Sequence, residues 1–304
     1  VTTELDPQES VFRKAVGVEV RGGVIVAKRL YARPYRASDK PNLPNVFARI
    51  VAGGEKAAEE RAVEFVRRYG PIGYVSLWVR EHKTPWPAEV PKGDPLAWVL
   101  GQARSVRFCA RLIESLSNLD ARGVVRVLRE NLVERSVTEL GIQSDDPEVK
   151  EQVFSWIEGI KRTDQFVWLG RAANAREKVF AMARQLIVAM VNGNTQGVRP
   201  RALRIAPSGR LEPAVVAPTL IENIWWKLGE WALTAEARGE RGLVRLCKEC
   251  GTPFLVTDRR QEFCPGPPGQ GSTCGYRYRK RRLRARQKGS GTDGQAEEGE
   301  EGPE

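Results

Sequence analysis

The sequence predicts an α+β protein in three parts: a mainly helical region with short strands over residues 1–240, a small cysteine-bearing module over residues 241–288, and a disordered acidic tail over residues 289–304. Three observations carry this. Apolar residues recur at helical spacing in long segments between residues 55 and 238, four of the five cysteines fall between Cys247 and Cys274, and the charge changes sign after Lys288. With 304 residues and 41% hydrophobic content, the chain can bury a sizeable core.

The N-terminal elements follow in order. Residues 16–20 (Val-Gly-Val-Glu-Val) and 24–27 (Val-Ile-Val-Ala) read as short strands around Gly22-Gly23, a tight turn and hence a hairpin. After a proline-rich loop at Pro41 to Pro44, residues 55–68 show helical spacing through Ala58, Ala62, Phe65, Val66 and Tyr69 and stop at Gly70-Pro71. Residues 78–95 are rich in proline and tryptophan and read as loop. A helix is expected from Asp94-Pro95, a cap and first-turn pair, to about Leu116. Cys109 lies on it and reads as a small buried hydrophobe. Further helices are expected over residues 120–132, from Asp146-Pro147 through Trp156 to Ile160, over 174–191 ending at Asn192-Gly193, and over 219–238. Residues 203–216 read as two strands around Pro207-Ser-Gly-Arg. In the last long helix Ile221, Ile224, Trp225, Leu228 and Trp231 form a core stripe rather than a base-stacking platform, and Trp226, off that stripe, is an interface candidate. Residues 1–240 are expected to sense a ligand or to assemble.

The formal net charge is +11, and because residues 289–304 hold six acids and no Lys or Arg, residues 1–288 carry +17. Between Arg241 and Lys288, thirteen Lys or Arg face only Glu249, Asp258 and Glu262, a net +10 in 48 residues. Such a density draws in polyanions whatever the fold. No stretch approaches the roughly 18 apolar residues of a membrane span, and the N-terminus lacks the features of a signal peptide, so a cytoplasmic protein with no membrane partner is expected. Val1, read as an alternative start codon, fits a bacterial source.

The cysteines read Cys247-Lys-Glu-Cys250-Gly251, then thirteen residues from Cys250 to Cys264, then nine more before Cys274-Gly275-Tyr276-Arg277. In a reducing compartment such clustering signifies metal rather than disulfide. Zinc takes four thiolates in a tetrahedron at about 2.3 Å from each sulfur. Two cysteines separated by two residues can share one ion if the chain turns sharply, which Gly251 eases by tolerating positive φ. Phe254, Val256 and Phe263 can pack beside the metal, and the Pro- and Gly-rich stretch after Cys264 can loop out and bring Cys274 back at the start of a helix. One structural Zn²⁺ on Cys247, Cys250, Cys264 and Cys274 is therefore expected. The alternatives are four reduced cysteines without metal and a redox-active pair.

From about residue 246 to 286 the chain resembles the CGNR zinc finger of bacterial transcription regulators. That is a treble-clef-like module with a cysteine pair, an aromatic hairpin, an aromatic-Cys step and a terminal Cys-Gly-x-Arg leading into a basic helix. Here Phe263-Cys264 and Cys274-Gly275-Tyr276-Arg277 carry the match, with Tyr276 where the family has asparagine and a longer second spacing. The resemblance implies a treble-clef-like fold, DNA binding and transcription regulation. The stretch from Phe65 to Gly73 is reminiscent of the helical domains that precede such fingers.

On a helical wheel from Tyr276, Leu283 lies on almost the same side with Lys280 and Gln287 beside it, a narrow stripe expected to rest on the zinc hairpin. Arg277, Arg279, Lys280, Arg281, Arg282, Arg284, Arg286 and Lys288 are the candidate nucleic-acid contacts, with double-stranded DNA the expected partner. The alternatives are RNA, stacked on Tyr276 and Tyr278; an acidic protein partner bound by an adaptor; and a solvated basic segment with no ligand. Catalysis is not expected. His82 is the sole histidine and lies far from the cysteines in sequence, no phosphate-cradling loop or activated nucleophile is evident, and four cysteines leave zinc no open position.

Overall fold

In a computed structural model of the chain, residues 11–36, 40, 42–52, 55–87, 92–132, 175–205, 211–238, 243–258, 260–266 and 271–289 are described. The helix expected from Asp146, the turn at Pro207 and the acidic tail after Gly289 lie outside them. The fold is α+β, helical for the most part with short antiparallel pairs.

Strands β1 (Val11–Arg21) and β2 (Val24–Arg36) form an antiparallel hairpin with Arg21 opposite Val24. Gly22 and Gly23 both have positive φ, 55° and 76°, as a two-residue hairpin turn with the twist of its strands requires. Both strands outrun the expected residues 16–20 and 24–27. Exposed Arg13, Lys14, Lys28 and Arg29 dilute the apolar pattern there without ending the ladder.

The expected loop at Pro41 to Pro44 instead opens a short helix, α1 (Leu43–Ala48), followed by a 3₁₀ turn (Arg49–Val51). Pro44 falls in its first turn, where a missing N–H breaks no helical hydrogen bond. Helix α2 (Glu55–Tyr69) matches expectation, with Ala58, Ala62, Phe65 and Val66 buried. It ends at Gly70, whose φ of +90° and place against the Arg13 carbonyl leave no room for a side chain.

The loop expected over residues 78–95 is in part α3 (Tyr74–His82), and Asp94 does not cap the helix that follows it. Helix α4 (Leu96–Ser117) has Pro95 at its N-cap and no side-chain cap. Residues 94–95 form β3, which pairs with β2 and places the buried Asp94 carboxylate across the chain from α3. There it accepts the backbone N–H groups of Ile72 at 2.6 Å, Gly73 at 3.0 Å and Tyr74 at 2.9 Å, orphan donors at the start of α3.

Helix α4 runs through the centre of the molecule. Val99, Ala103, Val106, Phe108, Cys109, Ala110, Leu112 and Ile113 are buried on nearly all its sides because α1, α5 (Ala121–Leu132), α6 (Ala175–Gly193) and α7 (Leu220–Arg238) surround it. Burial pushes the Cys109 thiol well above its usual range, which keeps it an inert packing group. Trp225 and Trp231 are core, as expected, while Trp226 is half-buried and donates to Glu230. Strands β4 (Arg199–Ile205) and β5 (Leu211–Val216) form a second antiparallel pair. No helix among the described residues is long and apolar enough to cross a membrane.

The cysteine module is seated on this body. Its hairpin, β6 (Val244–Leu246) and β7 (Pro253–Leu255), packs against α4 and α1, and Val244 belongs to the main core. Asn45 Nδ2 donates to the Pro253 carbonyl at 2.7 Å, the Leu255 N–H donates to Asn42 Oδ1 at 3.3 Å, and Ser117 Oγ donates to the Val244 carbonyl at 3.4 Å.

Candidate metal centre and basic helix

Between β6 and β7 the chain folds into a knuckle. Gly251 takes φ +62° and donates its N–H back to the Cys247 carbonyl at 2.9 Å, while the Cys247 N–H donates to the Thr252 carbonyl at 3.1 Å. This points Cys247 and Cys250 to one side. The Lys248 N–H donates to the Glu262 carbonyl at 3.1 Å and so draws the segment before Cys264 against the knuckle. Cys274 comes from the first turn of α8 (Thr273–Gly289).

The four sulfurs lie within 4.8 Å of one another, with 3.9 Å between Cys250 and Cys264 and 3.4 Å between Cys264 and Cys274. A tetrahedron of roughly 2.3 Å metal–sulfur bonds has edges of about 3.8 Å, so the donors stand at metal-sharing separation. They are free thiols, and a disulfide would bring two sulfurs to about 2.0 Å. Cys247, Cys264 and Cys274 are almost fully buried around Phe254, with Val256 and Phe263 packed beside them as expected. The crowded thiols share their charge unevenly. Cys250 is held far below its usual range by the neighbouring sulfurs of Cys247, Cys264 and Cys274, and Cys264 is pushed far above it by the same crowding. All four can be thiolates together only around a cation. The donor set therefore fits a metal ion such as zinc.

Two residues that support the centre escaped the sequence reading. Ser272 Oγ donates to the Cys264 carbonyl at 2.6 Å and accepts the Gly275 N–H at 3.1 Å. It is thus an N-cap for α8 that also ties together the ends of the Pro/Gly loop, and the Ser-Thr-Cys-Gly run was its available signal. Ser272→Ala is expected to lower thermal stability by about 1 kcal/mol, the usual cost of a lost N-cap, with the loss confined to the metal module by hydrogen exchange. The second is Arg49, on the 3₁₀ turn. Burial disfavours its charge, but the sulfurs of Cys264, Cys274, Cys250 and Cys247 outweigh burial and raise its pKa. A cation so placed offsets the negative charge of a four-thiolate site, and no local pattern in the sequence links it to the cysteines.

The helix α8 bears the predicted cations, but its contact face is not the predicted one. Tyr276 and Leu283 are 59% and 57% exposed rather than resting on the hairpin. The face that meets the module consists of Cys274, Gly275, Tyr278 and Arg281. Gly275 lies against Phe263, the Tyr278 and Phe263 rings are 5.1 Å apart, and Arg281 pairs with Glu249 inside the knuckle. Phe263, in the segment before Cys264, selects Tyr278, two positions from the stripe that hydrophobicity alone suggests. Arg277, Arg279, Arg282 and Arg284 are exposed and form no ion pair among the described residues, and Lys280 lies over the Tyr276 ring at 5.9 Å. Arg286 and Lys288 continue the helix, with side chains outside the described residues.

Elsewhere, a cleft of about 460 Å³ opens between α3, α4 and α7, lined in part by Tyr74, Trp78, Arg80, His82, Trp98 and Gln102. His82 stacks on Trp78 at 4.4 Å, and Arg80 pairs with the buried Glu222 at 2.8 Å. No family model, curated protein or solved structure matches this chain.

Proposed function

We propose that the chain is a zinc-stabilised, non-catalytic, cytoplasmic DNA-binding protein that acts in transcription regulation, as the resemblance of residues 246–286 to CGNR zinc fingers suggests. The observation that carries this reading is covalent continuity between metal site and cations. Cys274 lies in the first turn of α8, so a bound ion would anchor that helix while Arg277, Arg279, Lys280, Arg282 and Arg284 stay exposed. Zinc would hold the four thiolates and supply charge and rigidity, with no open position for substrate. The aromatic cleft over α3 and α4 is a candidate for the sensing role expected of residues 1–240.

The test is the salt dependence of duplex binding by zinc-loaded, full-length protein. Each neutralised phosphate contributes about 0.9 to the slope of log affinity against log salt, so five exposed cations give a slope of about −4 to −5. Changing Arg279 and Arg282 together to Ala is expected to reduce its magnitude by about 2. A flat salt profile in protein that retains its metal overturns the proposal.

Exposure of Tyr276 favours one second reading, single-stranded RNA held by base stacking. Tyr278, the other aromatic suited to that role, is engaged by Phe263. Competition between duplex DNA and single-stranded RNA separates the two.

A further inference from the structure

The outward side of α8 is not uniformly basic. Cys274, Tyr278 and Arg281 recur at helical spacing on the side that meets the sulfur cluster, Phe263 and Glu249. At about 100° per residue, the opposite side is centred on Tyr276 and Leu283. Arg277, Lys280 and Arg284 form a row along one flank of that pair, and Arg279 and Arg282 a row along the other. From Arg282 to Ala285 every side chain is exposed, so the helix projects past the hairpin.

Resting on the DNA-binding reading above, the geometry points to a reading face on α8: Tyr276 and Leu283 meet the thymine 5-methyl groups on the floor of the major groove of duplex DNA, while the two cation rows reach the phosphates of opposite strands. A helix with side chains is about 10–12 Å across and the groove about 12 Å wide, so cations on both flanks face phosphates on both sides. The thymine methyl is the apolar group that this groove presents to an apolar ridge. The Lys280 ammonium over the Tyr276 ring restrains the ring in its outward position. RNA offers no such match, since uracil lacks the methyl and the A-form major groove is too narrow to admit side chains. A lipid surface calls for a broad apolar face, and here the ridge is two side chains wide in all.

The experiment compares two probes for the zinc-loaded, full-length protein: an A·T-rich duplex, and the same duplex with deoxyuridine in place of thymidine, which deletes the methyl groups alone. Wild type is expected to bind the uracil duplex about fourfold more weakly for each methyl contacted, as burial of one methyl-sized group implies. The salt slope is expected to be the same for both. Leu283→Ala and Tyr276→Ala, both at exposed positions and verified folded by circular dichroism and zinc content, are expected to narrow the difference between the probes. Equal wild-type affinities for the two duplexes, with the salt slope intact, overturn the reading face and leave the DNA-binding reading standing. Absence of salt-dependent duplex binding overturns both. Tighter binding of single-stranded RNA that is lost in Tyr276→Ala, or of anionic phospholipid vesicles that is lost in Leu283→Ala, also overturns it and reassigns the face.

Discussion

Stripping the metal with a chelator is expected to release the β6–β7 hairpin and α8 while the helices around α4 stay folded. The module's own core is Phe254 with the cysteines, flanked by Val256 and Phe263, too little apolar surface to fold such a small unit alone. Structural zinc in finger peptides contributes on the order of 10–16 kcal/mol of apparent binding free energy, and an ion held by these four cysteines would be the chief support of the knuckle. The loss is not expected to stop at the first cysteine. The hairpin is gripped by Asn42 and Asn45 and faces Arg49, so α1 and the 3₁₀ turn are expected to loosen with it. Hydrogen exchange is the measurement: protection falls in residues 244–258, 271–281 and 43–51, and persists in 99–113. Cys247→Ser combined with Cys264→Ser is expected to reproduce the pattern without chelator. Metal retention is expected to weaken as pH falls, because protons compete with the ion for the thiolates. Full hairpin protection in metal-free protein at neutral pH contradicts this account.

The centre was legible because its determinants are local. Spacing of Cys247 and Cys250, Gly251 after them and an aromatic hairpin specify a knuckle through short-range geometry, and Gly251 takes the positive φ that the pattern implies. The same holds for the Gly22-Gly23 turn and for the apolar stripes of α2 and α7. What escaped was long-range. Arg49 reaches the cysteines across some two hundred residues, and Asn45 holds Pro253 over a similar separation. The orientation of α8 escaped for a related reason. A wheel ranks faces by hydrophobicity and so turned Tyr276 and Leu283 inward, whereas the ring of Phe263 and the carboxylate of Glu249 select Tyr278 and Arg281. Proline misled at Pro44, because proline disrupts a helix interior but is accommodated in a first turn, whereas near Pro95 the helix start was read and the cap was not, since Asp94 turns instead to the N–H groups at the start of α3.

Asp94→Ala is expected to be among the most damaging single substitutions in the N-terminal body, lowering unfolding free energy by about 2–5 kcal/mol. The carboxylate is 2% exposed and satisfies three backbone N–H groups at once, those of Ile72, Gly73 and Tyr74. Each buried donor left without a partner costs about 1–3 kcal/mol, partly recovered where water enters the vacated space. The damage extends beyond α3. Asp94 pairs with Ile25 in the sheet, and the Leu96 N–H donates to the Gly23 carbonyl at 2.8 Å, so the start of α4 is located by the same contacts. Asp94→Asn separates the two contributions. Its amide oxygen can keep the bonds to Gly73 and Tyr74, which share Oδ1, but its NH₂ faces the Ile72 N–H where Oδ2 stood. A loss smaller than that of the alanine variant, about 1–3 kcal/mol for the one orphaned donor, is therefore expected. Urea unfolding followed by tryptophan fluorescence reads both. Trp78 lies on α3 and Trp98 at the start of α4, where the two elements meet at the cleft. If Asp94→Ala unfolds at the wild-type urea midpoint, the carboxylate bridge does not hold α3 to the body, and the placement of the aromatic cleft must rest on other contacts.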